Sequence, residues 1–171
     1  EDLVRICYEQ GIEVTSLPGA AACITALTLS GLPTRRFSFE AFLPKKKKER
    51  AAVLEELKND TRTLIVYEAP HHLLGTLKEL QNALGDRRLT VCRELTKKFE
   101  TAFQTTFSEA TRYYEEQGVR GECVLVIEGR SREELVQEAQ QSWEAISVEE
   151  HMEHYLSTGM DRKSAMKQVA K

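Results

Sequence analysis

The chain has 171 residues, of which 41% are hydrophobic and 30% are charged, and these values are ordinary for a folded globular protein. No apolar run approaches the roughly 20 residues that a membrane-spanning helix needs, and residues 1–5 lack the basic flank and apolar block of a secretion signal, so we expect a cytoplasmic protein. The net charge of −3, taken alone, disfavours nucleic acid as a partner.

The first 34 residues predict a helix, a short strand and a second helix. Apolar residues recur at helical spacing up to Gly11, residues 12–17 predict the strand, and residues 20–29 predict a helix of small residues after a Pro-Gly turn. Three elements are too few for a domain. We therefore interpret residues 1–34 as the remnant of an N-terminal domain whose beginning is absent.

Residues 35–129 predict one layered α/β domain. Five apolar or alternating runs predict strands at residues 37–42, 63–67, 89–92, 101–106 and 123–127. Apolar stripes at helical spacing predict helices at residues 46–58, 71–84 and 108–117. Because two of the strands follow each other directly, the sheet is expected to be mixed, and the fold class is an α/β sandwich with a mixed sheet.

Residues 130–171 predict an acidic helical tail. Its first helix carries an apolar stripe of Leu135, Ala139, Trp143 and Ile146. Ser147, with Glu150 three residues later, forms a capping box at the start of a second helix, and a third helix is expected near Asp161. Two helices joined by a short glycine turn are typical of a helix-turn-helix unit. The alternative is an appendage that only packs on the domain.

The charges are unevenly distributed along the chain. Residues 45–50 carry five positive charges and one negative, residues 87–98 carry the same balance, and residues 130–150 carry six glutamates against two arginines. Basic segments of this kind attract a polyanion even when the total charge is slightly negative. Spacing alone equally allows ordinary solvated faces.

Cysteine and histidine positions do not indicate a metal site. The four cysteines are scattered without a C-x-x-C pair and are interpreted as buried thiols in a reducing compartment. His151 and His154 stand three residues apart on a predicted helix, with no third ligand nearby, and are interpreted as surface histidines.

Two segments at predicted strand ends are candidates for binding a ligand. Residues 18–22 (Pro-Gly-Ala-Ala-Ala) allow close approach to the backbone, and the free N–H groups of the following helix are donors, although an ordinary tight turn explains the same residues. Glu68 ends an apolar strand, where open α/β sheets bind ligands. Its alternative role is to cap the next helix.

The two further candidate segments are a basic cluster after one strand and a turn before another. Arg93 with Lys97 and Lys98 can hold phosphates, and the alternative is a structural ion pair between Arg93 and Glu94. Gly121 and Glu122 precede the last strand and on spacing alone form only a turn.

Taken in order, several segments carry a resemblance to a known family. They are residues 17–19, 26–27, 30–34, 37–40 and 42–44, then 62–71, 93–97 and 121–122. Together they resemble the ribosomal RNA small subunit methyltransferase I family of the tetrapyrrole methylase superfamily. The likeness runs from residue 1 to about residue 129, and the tail is similar to the family's variable helical extension.

The resemblance implies a two-domain enzyme, usually a homodimer, that holds S-adenosylmethionine between its domains and methylates a cytidine 2′-hydroxyl of 16S rRNA. It implies cofactor contacts at Gly19, Ala20, Ala21, Ala22, Glu68, Ala69, Val91, Cys92, Gly121 and Glu122. With the basic segments, it implies RNA contacts at Arg93, Lys97, Lys98, Lys45 and Lys46. Glu94 or a water is expected to take the hydroxyl proton, and no metal is required.

The chain departs from this family in two ways. The glycine-rich and acidic motifs of the family's first half are missing, and His72 stands where the family often has arginine. We therefore expect an incomplete piece that binds cofactor weakly and does not turn over. Two alternatives stay open: a methylase of a small tetrapyrrole, because the superfamily shares one fold across substrates, and a non-catalytic RNA-binding module.

Overall fold

The structure, a computed structural model, describes residues 2–144 and 148–169. In chain order its elements are α1 (Asp2–Glu9), α2 (Ala22–Leu29), β1 (Phe37–Phe42), α3 (Lys47–Leu57), β2 (Thr63–Glu68), α4 (Leu73–Leu84), β3 (Arg88–Arg93), β4 (Thr101–Thr106), α5 (Phe107–Gln117), β5 (Cys123–Ile127), α6 (Arg132–Glu144), α7 (Val148–Ser157) and α8 (Arg162–Val169). The five strands and three helices predicted within residues 35–129 are confirmed.

The five strands form one mixed sheet in the order β1-β2-β5-β3-β4. β1 and β2 are parallel because α3 crosses between them, and β5 pairs antiparallel with both β2 and β3. β3 and β4 follow each other in the chain and are also antiparallel. The predicted mixed sheet is therefore confirmed.

Side chains of successive strand residues point to opposite faces of this sheet. The face covered by α3, α4 and α5, here called the α4 face, holds the larger core, which includes Leu64, Leu77 and Leu125. The opposite face, here called the α2 face, holds a smaller cluster in which Ala26 and Leu27 of α2 pack on Ile65, Cys92, Val124 and Val126. Both faces of the three central strands are therefore covered, which explains their continuous apolar runs.

The strand predicted at residues 12–17 is wrong. Residues 12–21 have no regular structure, and Leu17 is 89% exposed. The backbone N–H of Ile12 bonds the carbonyl of Cys7 across the end of α1 (2.8 Å), and no strand of the described chain pairs with the segment. Alternating apolar residues do not make a strand without a neighbouring ladder of hydrogen bonds.

α2 joins the sheet through hydrogen bonds as well as apolar packing. The hydroxyl of Thr90 donates to the carbonyl of Ser30 (3.0 Å), and the hydroxyl of Thr63 donates to the carbonyl of Pro33 (2.7 Å). α1, by contrast, buries none of its residues. The division at residues 34 and 129 stays a prediction, although α2 lies on the sheet of the following segment.

The tail is helical, as predicted. Asp161 caps α8 by accepting from the backbone N–H groups of Lys163 (3.0 Å) and Ser164 (3.1 Å), and Ala165 is buried. Ile146, Ser147 and the side chain of Trp143 lie outside the described residues, so the capping box and part of the apolar stripe remain predictions. The choice between a helix-turn-helix unit and a packed appendage also stays open.

Candidate functional site

Most of the predicted site residues lie along one edge of the sheet, the edge formed by the ends of its strands. The carboxyl ends of β2 and β3 meet the amino ends of β5 and β4 there. In the strand register, Glu68 and Arg93 both pair with Cys123, and Arg93 also pairs with Thr101. Antiparallel pairing through β5 therefore brings together strand ends that are 25 to 55 residues apart in the chain.

Glu94 is tied to the turn before β5. Its Oε1 accepts from the backbone N–H of Glu122 (3.1 Å) and from Nζ of Lys97 (3.2 Å). These hydrogen bonds, first the one from Lys97, hold the pKa of Glu94 below its ordinary value, and the same pairing raises the pKa of Lys97. The carboxylate is consequently ionised at neutral pH and a weak proton acceptor.

Gly121 is required by this arrangement. Its φ of +77° lies in the left-handed region that favours glycine, and a Cβ added there would collide with the carboxylate of Glu94. Glu94 itself has a φ of 52°. The two loops are therefore fitted to each other, which neither loop's sequence predicts alone.

Glu68 lies on the α4 face and is 6% exposed. Its Oε2 accepts from the hydroxyl of Thr76 (2.6 Å) and its Oε1 accepts from the backbone N–H of Ala69 (2.8 Å). The oxygen of Thr76 in turn accepts from Nη2 of Arg50 (2.7 Å). Both carboxylate oxygens are thus engaged within the protein.

The side chains of Val91 and Cys92 are fully buried on opposite faces of β3. The thiol of Cys92 approaches the carbonyl of Ala26 (4.0 Å), and burial raises its pKa to about 11. Cys123 is also buried, whereas Cys7 and Cys23 are only half-buried, so the prediction of four buried thiols is wrong for two of them. A ligand at this strand end can meet only the backbone of residues 91 and 92.

The turn at residues 19–22 lies at the same edge, on the α2 face. The contacts from Cys92 to Ala26 and from Thr90 to Ser30 orient α2 so that its amino end points to the end of β3. Residues 19–22 are exposed, and no side chain caps the helix. No backbone carbonyl accepts from the N–H of Ala22 in the described structure, so this group is available to a ligand, whereas the N–H of Cys23 faces the hydroxyl of Tyr67.

Tyr67 lies beside Cys23, next to this turn, and is the centre of a group of three aromatic rings. Tyr67 makes edge contacts with Phe39 (5.1 Å between ring centroids) and Phe42 (5.7 Å). Burial, then the neighbouring thiol of Cys23, raises the pKa of Tyr67. The aromatic content of β1 is visible in the sequence, but the strand alternation predicts Phe39 and Phe42 on opposite faces. The structure places both against Tyr67.

The predicted cationic residues are distributed over two loops. Nη1 of Arg93 donates to the carbonyl of Arg120 (3.3 Å), and Nζ of Lys98 lies over the ring of Phe99 (5.6 Å). Lys45 and Lys46 are exposed beside β1, and Lys45 lines a groove of about 710 Å³ together with Glu68 and Ala69. The structure thus brings Arg93 and Lys97 together, and it places Lys45 and Lys46 on a separate loop.

The described part of the chain has neither a cluster of metal ligands nor a membrane-spanning helix. Residues 2–144 and 148–169 contain no group of three or more histidine, cysteine or acidic side chains that suits a metal ion. His154 is exposed on α7, and the side chain of His151 lies outside the described residues. Among the helices described, none is long and apolar enough to cross a membrane.

Comparison with known proteins gives concordant results. The family model of the tetrapyrrole (corrin/porphyrin) methylases matches residues 1–111. Ribosomal RNA small subunit methyltransferase I of Halalkalibacterium halodurans is 44% identical over 169 residues, which are 99% of this chain and 58% of that protein. The protein of the same name from Bacillus subtilis strain 168 gives the same identity and coverage. The chain therefore spans a little under three fifths of these relatives.

Solved structures match at the level of the fold. Cobalt precorrin-4 methyltransferase CbiF superposes with a TM-score of 0.54 at 17% identity, over 74% of this chain and 56% of that one. Uroporphyrin-III C-methyl transferase from Thermus thermophilus, complexed with S-adenyl homocysteine, superposes with a TM-score of 0.50 at 17% identity, over 74% and 57%.

Proposed function

The chain belongs to the tetrapyrrole (corrin/porphyrin) methylase family, and we propose that it is part of an S-adenosylmethionine-dependent methyltransferase of small-subunit rRNA. The observation that carries the proposal is the 44% identity, over nearly the whole chain, to proteins named ribosomal RNA small subunit methyltransferase I. We further propose the 2′-hydroxyl of a cytidine in 16S rRNA as the acceptor. A homodimer in the cytoplasm is part of the same proposal.

The residues on the α2 face fit part of such a cofactor. The uncapped N–H group of Ala22 is a donor for polar groups, and the rings of Tyr67 and Phe39 offer a surface for a purine. The cofactor would supply an electrophilic methyl group. We propose that residues 19–22, the backbone of residues 91–92, and residues 121–122 line its site, with residues 68–69 at the end of β2.

The geometry favours a positioning role for Glu94. Its carboxylate is already bonded to Lys97 and to the backbone of Glu122, and its lowered pKa makes it a poor acceptor for a hydroxyl proton. The hydroxyl oxygen becomes strongly acidic once the methyl group is bonded to it, so we propose that its proton is lost to water at that point, and that Glu94 holds the loop carrying Lys97. Arg93, Lys97, Lys98, Lys45 and Lys46 are the proposed phosphate contacts.

The test is methyl transfer from tritiated S-adenosylmethionine to small ribosomal subunits from a strain that lacks the relative's activity. Three proteins are compared: this chain, the complete Bacillus subtilis relative, and a chimera in which this chain replaces the matching 169 residues of that relative. We expect label in the rRNA with the relative and the chimera, at 2′-O-methylcytidine after digestion to nucleosides, and none with this chain alone.

Each other outcome has a defined meaning. A folded chimera that binds the cofactor but labels no RNA would sink the proposal. If such a chimera methylates a porphyrin or corrin precursor, the small-molecule alternative replaces it. If this chain binds RNA while the chimera neither binds cofactor nor transfers methyl, the non-catalytic binding module replaces it.

A further inference from the structure

β1 contains a bulge just before it ends. The parallel register with β2 shifts by one residue between Phe39 and Ala41, and Ala41 has a φ of 52°. A residue with a side chain is uncommon at positive φ, and such conformations persist where the surrounding structure holds them. Bulges recur where a strand must re-aim a side chain.

The side chain that this bulge re-aims is Phe42. In an unbroken strand, Phe42 would lie on the face opposite to Phe39. The extra residue instead pairs Phe42 with Tyr67, and both phenylalanines contact that ring. Phe42 nevertheless remains 62% exposed, so its ring is presented to solvent at the sheet edge and is not used to fill the core.

Phe42 also contributes to the wall of the groove of about 710 Å³ beside α4. The same wall includes Pro44, Lys45, His71 and His72, and the two exposed histidine rings lie 4.1 Å apart between centroids. The groove therefore combines flat rings with a cation. Glu68 and Thr76 also line the groove, and the carboxylate of Glu68 is already hydrogen-bonded to the hydroxyl of Thr76.

The charges around the groove favour the binding of an anionic polymer. Lys45, Lys46, Lys47 and Lys48 are all exposed next to it, and in the described structure only Lys46 has an acidic partner, Glu49 (2.9 Å). The other carboxylate of the groove, Glu79, is paired with Arg50 (2.5 Å). Glu79 is thus neutralised by Arg50, and Glu68 is held by the hydroxyl of Thr76 and the N–H of Ala69, while Lys45, Lys47 and Lys48 stay available.

We infer that Phe42 stacks on a base of a single-stranded segment of the RNA substrate, and that the neighbouring lysines face its phosphates. The identification of the strand as RNA rests on the proposed function. The physical basis is independent of sequence, because every base has a flat face and a basic groove follows the backbone. Duplex RNA keeps its bases stacked internally and cannot use Phe42 in this way.

The experiment measures binding of a single-stranded ten-nucleotide RNA with 2-aminopurine at its centre to the complete 171-residue chain, by quenching of the base's fluorescence. Phe42→Leu keeps an apolar side chain but removes the ring, and we expect roughly tenfold weaker binding with loss of quenching. Phe42→Trp should restore both. Tyr8→Leu, which removes a ring of similar exposure (68%) on α1, outside the groove, is the matched control and should change the affinity less than twofold.

The inference is overturned if Phe42→Leu binds and quenches like the wild-type chain, if Tyr8→Leu has the same effect as Phe42→Leu, or if the duplex form of the RNA binds as well as the single strand. It is also overturned if the wild-type chain shows no quenching. A change of oligomeric state in Phe42→Leu without a change in RNA affinity would assign the ring to a protein interface. Because binding is measured without methyl transfer, failure of the chimera assay does not affect these outcomes.

Discussion

Thr76 links a buried carboxylate to a guanidinium, and its replacement by valine tests whether Glu68 is held by the fold itself. Thr76 is 2% exposed, its hydroxyl donates to Oε2 of Glu68 (2.6 Å), and its oxygen accepts from Nη2 of Arg50 (2.7 Å). Thr76→Val replaces the hydroxyl with a methyl group of similar size. Packing is therefore kept, while both hydrogen bonds are lost.

The expected loss of free energy of unfolding follows from the polar groups that stay buried without a partner. A buried polar group without its partner costs about 1–3 kcal/mol, and more when it is charged. Glu68 keeps only the N–H of Ala69, whereas Arg50 keeps its pairing with Glu79, so most of the loss falls on Glu68. We expect the free energy of unfolding to fall by about 3 kcal/mol. For a chain of this size that corresponds to a Tm lower by about 6–12 °C.

The assay is urea and thermal unfolding followed by circular dichroism, with Thr76→Ser as the matched control. Serine keeps the hydroxyl and loses one methyl group, for which about 1 kcal/mol is expected. The reasoning is refuted if the valine variant is as stable as the serine variant or more stable. In that case the carboxylate of Glu68 is not held by Thr76 and is free to bind a ligand.

Three further predictions concern the same domain. Gly121→Ala should lower the urea midpoint, because a side chain there is strained and displaces Glu94. Gly75→Ala, in open space on α4, is the control and should raise the free energy of unfolding by up to about 1 kcal/mol. Equal effects of the two substitutions would contradict the close fit between Gly121 and Glu94. The pKa of Glu94 is lowered in the folded chain, so its contribution is fully present above the ordinary value of 4.5 and is lost as pH falls through the lowered value. The wild-type chain should therefore exceed Glu94→Gln in stability at pH 6, and the difference should shrink steadily as pH falls below 4.5 in urea unfolding; a difference that is independent of pH would contradict this. Leu77→Ala, at a fully buried position, should cost about 2–5 kcal/mol in the same assay, and a loss below 1 kcal/mol would contradict the described core.

The sequence predicted the elements of residues 35–129 well because their patterns were strong. The apolar run at residues 63–67 and the helical stripe before Gly85 each bury a complete face in the structure. Two directly successive strands were enough to predict a mixed sheet. The segment at residues 12–17 shows the limit, because its apolar alternation finds no neighbouring strand.

The geometry of the candidate site depends on long-range fit, which local patterns do not encode. No residue near Gly121 in the sequence indicates that the carboxylate of Glu94, from the β3–β4 loop, occupies the space that a side chain at position 121 would need. Period-two alternation assigned Phe42 to the wrong face, because a bulge at Ala41 inverts it. The positions of Glu68 and Arg93 at one edge, by contrast, follow from their strand ends and were accessible to prediction.

Alternation along β2 has a consequence for how the two proposed ligands would meet. Tyr67 faces α2, where the uncapped helix start belongs to the proposed cofactor side, and Glu68 faces α4, where it lines the groove that also includes Phe42. The end of β2 therefore stands between the two proposed binding regions. Methyl transfer to a hydroxyl is an in-line displacement that needs donor and acceptor on opposite sides of the methyl group. The reacting atoms must also come within about 3.5 Å of each other, so the methyl group and the hydroxyl can meet only beyond Glu68, past the end of β2. The Glu68–Thr76–Arg50 hydrogen bonds hold that strand end in place and would therefore bear directly on alignment.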